Sequence, residues 1–227
     1  MRHAAFGWLL AAAAIAAADP AIAARAADEG SRCIERNFAA DDVELRLGRA
    51  TGAGRTYLLG DGEGCPRQGA TCRGDAFAAP GQALLLGLSR PGYVCAFAAR
   101  RMPGNVGWIP VERLQPATQP VDPAPPLAAW LGRWRQGDDT IALTPAGDRI
   151  SAEGEAYWPG KNIMPANEGA FAGTASPSGN RLRIVADECE VEMILAGPFL
   201  VVTDNQTCGG HNVSFYGVYV RRRDRAK

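Results

Sequence analysis

The sequence predicts an all-β chain in two small sheet-built halves, and three observations predict it. Glycine and proline supply 27 and 16 of 227 residues, while aromatics are 7%; that balance favours short strands and frequent turns over long helices. Apolar and polar residues alternate through 188–195, so that Cys189, Val191, Met193 and Leu195 share one face and Glu188, Glu190 and Glu192 the other. Residues 115–126 hold five prolines and no apolar period, the composition of a semi-extended spacer.

Residues 1–26 stand apart from the fold. A positive start at Arg2 and His3 precedes an apolar run over 6–18, then small-residue sites at Ala21-Ile22-Ala23 and Ala24-Arg25-Ala26. That is the layout of a secretory signal peptide, and the run is too short for a comfortable membrane span. No transmembrane segment is expected after cleavage. Because the first cysteine is Cys33, no lipid-anchoring thiol follows the run closely. Cleavage removes Arg2, Arg25 and Asp19 and leaves 22 basic against 23 acidic side chains. No field of one sign covers such a molecule, which excludes a dedicated nucleic-acid binder. The expected address is periplasmic or secreted, in a bacterium whose alanine- and arginine-rich composition points to a GC-rich genome.

All six cysteines lie beyond residue 26, and none forms a C-x-x-C pair. An even count in an oxidising compartment reads as three disulfides. The spacer divides the cysteines four to two; if no pair crosses it, three connectivities remain. Of these the expected one is Cys33–Cys95, Cys65–Cys72 and Cys189–Cys208. The domain expectation is a signal peptide over 1–26, a first domain over 33–116, a linker over 117–126 and a second domain over 127–225.

In the first domain, strand-sized runs occur at 43–47, 57–59, 83–88, 93–99 and 108–110, with a short turn at 111–114. The turns are Pro80-Gly81, Arg90-Pro91-Gly92 and the run Pro103 to Gly107. A meander of hairpins ending in Gly107-Trp108-Ile109-Pro110 and a closing turn resembles the bacterial SH3-like (SH3b) domain, best over 75–116. Val43-Glu-Leu-Arg-Leu-Gly-Arg49 replaces that family's usual opening run, and a long loop carrying Cys65 and Cys72 follows it.

The second domain shows eight strand-sized runs, at 131–136, 140–144, 149–157, 170–174, 182–186, 188–195, 199–203 and 212–221. Up-and-down strands with short turns remove their edges by closing into a barrel. Gly132-x-Trp134 on the first strand, with Arg221 on the last, resembles the lipocalin (calycin) arrangement, in which a tryptophan plugs one barrel end beneath a basic side chain. The exported length as a whole resembles exported proteobacterial proteins with a C-terminal lipocalin-like small barrel. That resemblance implies architecture and location and no chemistry.

The chain offers little for catalysis. It has no G-x-S-x-G elbow, no Walker-type loop with its lysine, and after cleavage a single histidine, His211. Disulfides consume every thiol, so no catalytic residue, metal or cofactor is expected. The most distinctive segment runs from Asp204 to Ser214. Its glycines permit positive φ and its Asp, Asn, Thr and Ser side chains bond local amides, so it reads first as a pinned loop closing the barrel. As a ligand site, the same segment would offer Asp204, Asn205, His211 and Asn212. Tyr57, Tyr93 and Trp108 are candidates for an SH3-like groove, with Trp108 reading first as a core plug of its small barrel. Tyr157 and Trp158, ahead of Pro159-Gly160, are candidate anchors at a strand end. The basic run 221–227 reads as a solvated end.

The expectation is therefore a non-enzymatic exported protein of two loosely tethered modules. Its partner is peptidoglycan or an envelope protein, not nucleic acid, and its oligomeric state is open. Two alternatives stand beside it: a small-molecule-binding calycin-like barrel, and an inhibitor of a lysozyme-like envelope-degrading enzyme that uses the His211 loop as a plug.

Overall fold

The computed structural model describes residues 31–99, 105–115, 119–159 and 166–221. The expected signal peptide, the expected turn at 103–104, residues 116–118 of the expected linker, residues 160–165 and the basic run after Arg221 lie outside them. Among the described residues no helix is long and apolar enough to cross a membrane.

The chain is all-β with two sheets. The first holds β1 (Arg46–Arg49), β2 (Thr56–Leu59), β3 (Arg73–Ala78), β4 (Ala83–Arg90), β5 (Tyr93–Ala98), β6 (Val106–Pro110) and β7 (Gln119–Pro120), in the order β3-β2-β6-β5-β4-β1-β7. The second holds β8 (Gly132–Gln136), β9 (Asp139–Ala146), β10 (Arg149–Trp158), β11 (Asn167–Ala175), β12 (Arg181–Ala186), β13 (Cys189–Ala196), β14 (Phe199–Asp204) and β15 (Gly217–Arg221). Its order, β11-β10-β9-β8-β15-β14-β13-β12, is an up-and-down meander whose last strand pairs with its first. It is a nearly closed barrel. Only β11 and β12 lie side by side without a ladder. There Gly173 sits against Ile184, and a Cβ on it would come within 2.6 Å of the isoleucine's Cγ2.

Each of the eight runs read in the second domain contributes a strand, with shifted ends. The last begins at Gly217 instead of 212, because Asn212 takes a left-handed φ of 65° and the Asp204 carboxylate captures the Phe215 amide at 2.7 Å. In the first sheet β3 was not expected. Its sequence, RGDAFA, does not alternate, and it forms an edge strand with three exposed residues at its start. The three expected disulfides are the three that form, closing separations of 62, 7 and 19 residues. In the chain-entropy model the longest is worth about 4 kcal/mol and the Cys189–Cys208 loop about 3 kcal/mol.

Three apolar clusters build the interior. One fills the barrel, where Trp134, Ile141, Ile150, Val191, Met193 and Leu200 are fully buried. A second covers one face of the first sheet with Leu84, Leu86, Val94, Ala96 and Ile109. The third joins the sheets: Leu85, Cys95, Phe97 and Trp108 of the first pack with Phe199, Val201 and Val218 of the barrel wall. β5 and β14 are therefore buried on both faces, which is why 94–98 and 199–202 are continuous apolar runs without alternation. This corrects the expectation of loosely tethered halves. Residues 119–121 of the proline-rich spacer are held by the fold: β7 pairs with β1 at Arg46↔Pro120 and Leu47↔Gln119, and Val121 packs on the shared core. Proline is tolerated there because β7 is an outermost strand.

At the far end of the barrel, the Arg221 guanidinium lies 4.7 Å from the Trp134 ring centroid and donates to the Ala129 carbonyl. The Trp134 indole N–H donates to the Trp130 carbonyl at 2.9 Å. The basic lid over a tryptophan plug, read from Gly132-x-Trp134 and Arg221, is present as geometry.

Phe199 meets Phe97 edge-to-face at 5.8 Å across the shared layer. Truncating a buried phenylalanine costs about 3–5 kcal/mol. Phe199→Ala should therefore lower one cooperative thermal transition that includes both sheets. Two separable transitions in the wild type, with only one shifted in the variant, would contradict this.

Candidate functional site

The second rim of the barrel gathers most of the candidate residues. Along β10, Ile150, Ala152, Gly154 and Ala156 face the interior and are buried. The next residue of that parity, Trp158, has passed the end of the core and is 44% exposed, with Tyr157 beside it at 43%. Alternation along a strand thus carries a large ring to the barrel mouth. Trp158 pairs in register with Asn167 of β11. The Asn167 side-chain amide donates to the His211 carbonyl at 2.7 Å, and the Gly210 amide donates to the Glu168 carbonyl at 3.1 Å. Gly169 and Gly209 meet at the same place, and a Cβ on Gly209 would come within 2.5 Å of the Gly169 Cα. Two glycines let the loop lie flat against the strand.

That loop, 205–216, closes the mouth from above. Asp204 accepts from the Gln206 amide (3.2 Å), the Ser214 hydroxyl (3.0 Å) and the Phe215 amide (2.7 Å). Asn205 accepts from the Glu190 amide at 3.1 Å and donates to the Glu188 carbonyl at 2.7 Å. Cys208 is tied to Cys189, while Val213 and Phe215 are buried as an apolar stopper. Phe215 packs edge-to-face on Phe171 at 4.7 Å. Asp204 and Asn205 are therefore committed to holding the loop. His211 and Asn212 are exposed on its outer surface.

Acidic groups ring the mouth lower down. Asp139 accepts from the Tyr157 amide at 2.9 Å; burial raises its carboxyl above the usual range, with that hydrogen bond opposing. Glu35, on a 3₁₀ turn at Glu35–Ala39, reaches the seam where β15 parts from β8. Its Oε1 accepts from the Val218 amide and the Gln136 side-chain amide, both at 2.7 Å. Burial raises this carboxyl too, against both bonds. Between them the Tyr219 hydroxyl is enclosed and has no hydrogen-bond partner among the described residues. Its pKa is driven well up by burial, and further by the charges of Asp139, Asp204 and Glu35.

The remaining candidates lie on the first sheet; of these Tyr93 lines a surface hollow there, and Tyr57 and Trp108 do not. Trp108 is fully buried in the shared core, and its indole N–H donates to Asp61 at 2.7 Å. Asp61 also pairs with Arg90 at 3.2 Å, and that guanidinium lies 4.3 Å from the Trp108 ring. Tyr57 is half-buried, with Arg73 stacked on its ring at 3.1 Å and Phe77 at 5.5 Å. Tyr93 is half-buried against the shared core. Trp108 is a core plug and offers no stacking face, because the face of the sheet that carries it packs on the barrel wall.

The reading from residues alone missed Asp139, Asn167 and Glu35. Asn167 becomes visible only when the β10–β11 register is known. Glu35 lies 183 residues from the amide it caps, with no local pattern to betray it. Among the described residues, no group of three His, Cys, Asp or Glu stands close enough to hold a metal ion, and no cysteine is free.

The raised Glu35 value carries a sign. Its charged form is the disfavoured one, so its contribution to stability is complete below the ordinary value of 4.5 and declines as pH rises through the folded-state value. Glu35→Gln keeps an acceptor for Val218 and removes the charge. Denaturant midpoints of the variant and wild type should converge near pH 4 and separate in favour of the variant at pH 7. A wild type more stable than the variant at pH 7 would contradict this account.

Set against family models, curated proteins and solved structures, the chain matches none of them.

Proposed function

We propose that this is an exported, non-enzymatic binding protein that takes a small ligand at the rim of its barrel, with Trp158 as the stacking anchor. The observation that carries the reading is Trp158 itself, 44% exposed at the end of an inward-facing row, whereas Trp108, Trp130 and Trp134 are fully buried. The barrel interior is filled by side chains such as Leu182, Ile184, Val191, Met193 and Leu200, so the ligand belongs on the mouth and not in the lumen. Beside the ring, Asn167 of β11 ties down the His211 carbonyl, and His211 and Asn212 offer polar groups on a loop held rigid by a disulfide and by Asp204. A face to stack and hydroxyls to meet these groups describe a sugar ring. Envelope glycan is the ligand class that fits both this chemistry and the address implied by the leader. A preorganised loop keeps the ordering cost of binding low.

Titration with chitotriose, read by tryptophan fluorescence, tests this directly. The wild type should show a saturable change. Trp158→Ala should abolish it with an unchanged thermal midpoint, whereas Tyr57→Ala on the first sheet should leave it intact. A response that survives Trp158→Ala would overturn the assignment, as would no response at millimolar sugar. A second reading, inhibition of a lysozyme-like enzyme, is favoured by the rigidity and exposure of the His211–Asn212 tip. Protection of cells from lysozyme that is lost in His211→Ala and kept in Trp158→Ala would select it.

A further inference from the structure

A separate hollow of about 280 Å³ opens on the first sheet, remote in sequence from the rim. Its apolar floor is Leu86, Val94 and Leu114, all buried, and Val111, 51% exposed, forms its lip. Arg46 lines it from β1. One Arg46 Nη2 hydrogen goes to the Ser89 hydroxyl at 3.0 Å. Its Nε is enclosed without an acceptor, and no carboxylate among the described residues pairs with it. By contrast, Arg90 at the same hollow is neutralised by Asp61, and Arg181 and Arg183 on the barrel are each paired with a glutamate. Among the described residues, no acidic side chain lines the hollow. A half-enclosed guanidinium over an apolar floor lacks a counter-charge, and the fork of donors on arginine matches the two oxygens of a carboxylate.

We propose that this hollow is a second binding site, specific for a carboxylate borne on a short apolar body. Arg46 and Ser89 hold the charge, and Leu86, Val94 and Val111 hold the body. The volume lies just below the range of drug-sized pockets, so the site takes a fragment the size of one amino-acid residue. Two sources share that chemistry, a free acylated amino acid and the C-terminal residue of a peptide. The reading is independent of the rim, because it uses neither Trp158 nor the His211 loop.

The test is amide NMR on the mature protein titrated with N-acetylleucine, with N-acetylleucinamide and with acetyl-Gly-Gly-Leu. The acid should shift the amides of Arg46, Ser89, Val111 and Leu114 saturably, and the amide analogue should bind at least tenfold more weakly. Arg46→Gln should erase the preference for acid over amide while leaving the rest of the spectrum and any chitotriose response in place. Arg46→Lys should retain part of the preference, which separates lost charge from lost packing. Tighter binding of the tripeptide than of N-acetylleucine assigns the site to peptide ends, and equal binding assigns it to free acids. Equal affinity for acid and amide would overturn the proposal, as would shifts confined to other residues or an acid preference that survives Arg46→Gln.

Discussion

Phe97 and Phe199 meet edge-to-face in the layer where the first sheet and the barrel share a core, and the rest of the structure is arranged around that contact. Each half is small enough that its own interior would leave it marginal. Packing the outer face of β13–β15 onto the first sheet gives both halves a second buried surface without lengthening either. The same contact consumes one face of the first sheet, including Trp108. What the shared layer leaves uncovered is the barrel rim at Trp158 and the hollow beside Arg46.

Disulfides and buried carboxylates hold the parts that the core does not reach. Cys33–Cys95 fastens the N-terminal segment to β5, and Glu35 follows it into the seam between β8 and β15. Cys189–Cys208 does the same for the loop over the barrel mouth. In both places the chain covers a gap in a ladder with side-chain acceptors, Glu35 for the Val218 amide and Asp204 for the Phe215 amide. Such substitutions satisfy buried donors and also carry a charge into a poorly solvated place, which raises the Glu35 carboxyl.

Much of the fold was legible because it is written in local signals. Alternation through 188–195 placed β13, the proline-glycine turns set the hairpins, and the four-to-two division of cysteines narrowed the disulfides. The lid of Arg221 over Trp134 could be read because its parts sit on the first and last strands. Legibility failed where long-range geometry decides. The runs at 94–98 and 199–202 were read as ordinary strands, since a continuous apolar run names no partner, and so the shared core was read as two separate ones. Asn212 carries strand-like neighbours yet adopts a left-handed turn, because Asp204 competes for the amides that follow. The exposure of Trp158 at a strand end was readable. Asn167 was not, since its place depends on a register set across the 160–165 loop.

Native-state hydrogen exchange tests the single shared core most directly. If the two sheets stand or fall together, the amides of Val94–Phe97 in β5 and Leu200–Val202 in β14 should open with one common free energy, equal to that of global unfolding. Barrel amides that exchange through a distinct, lower-energy opening while those of the first sheet stay protected would contradict the account.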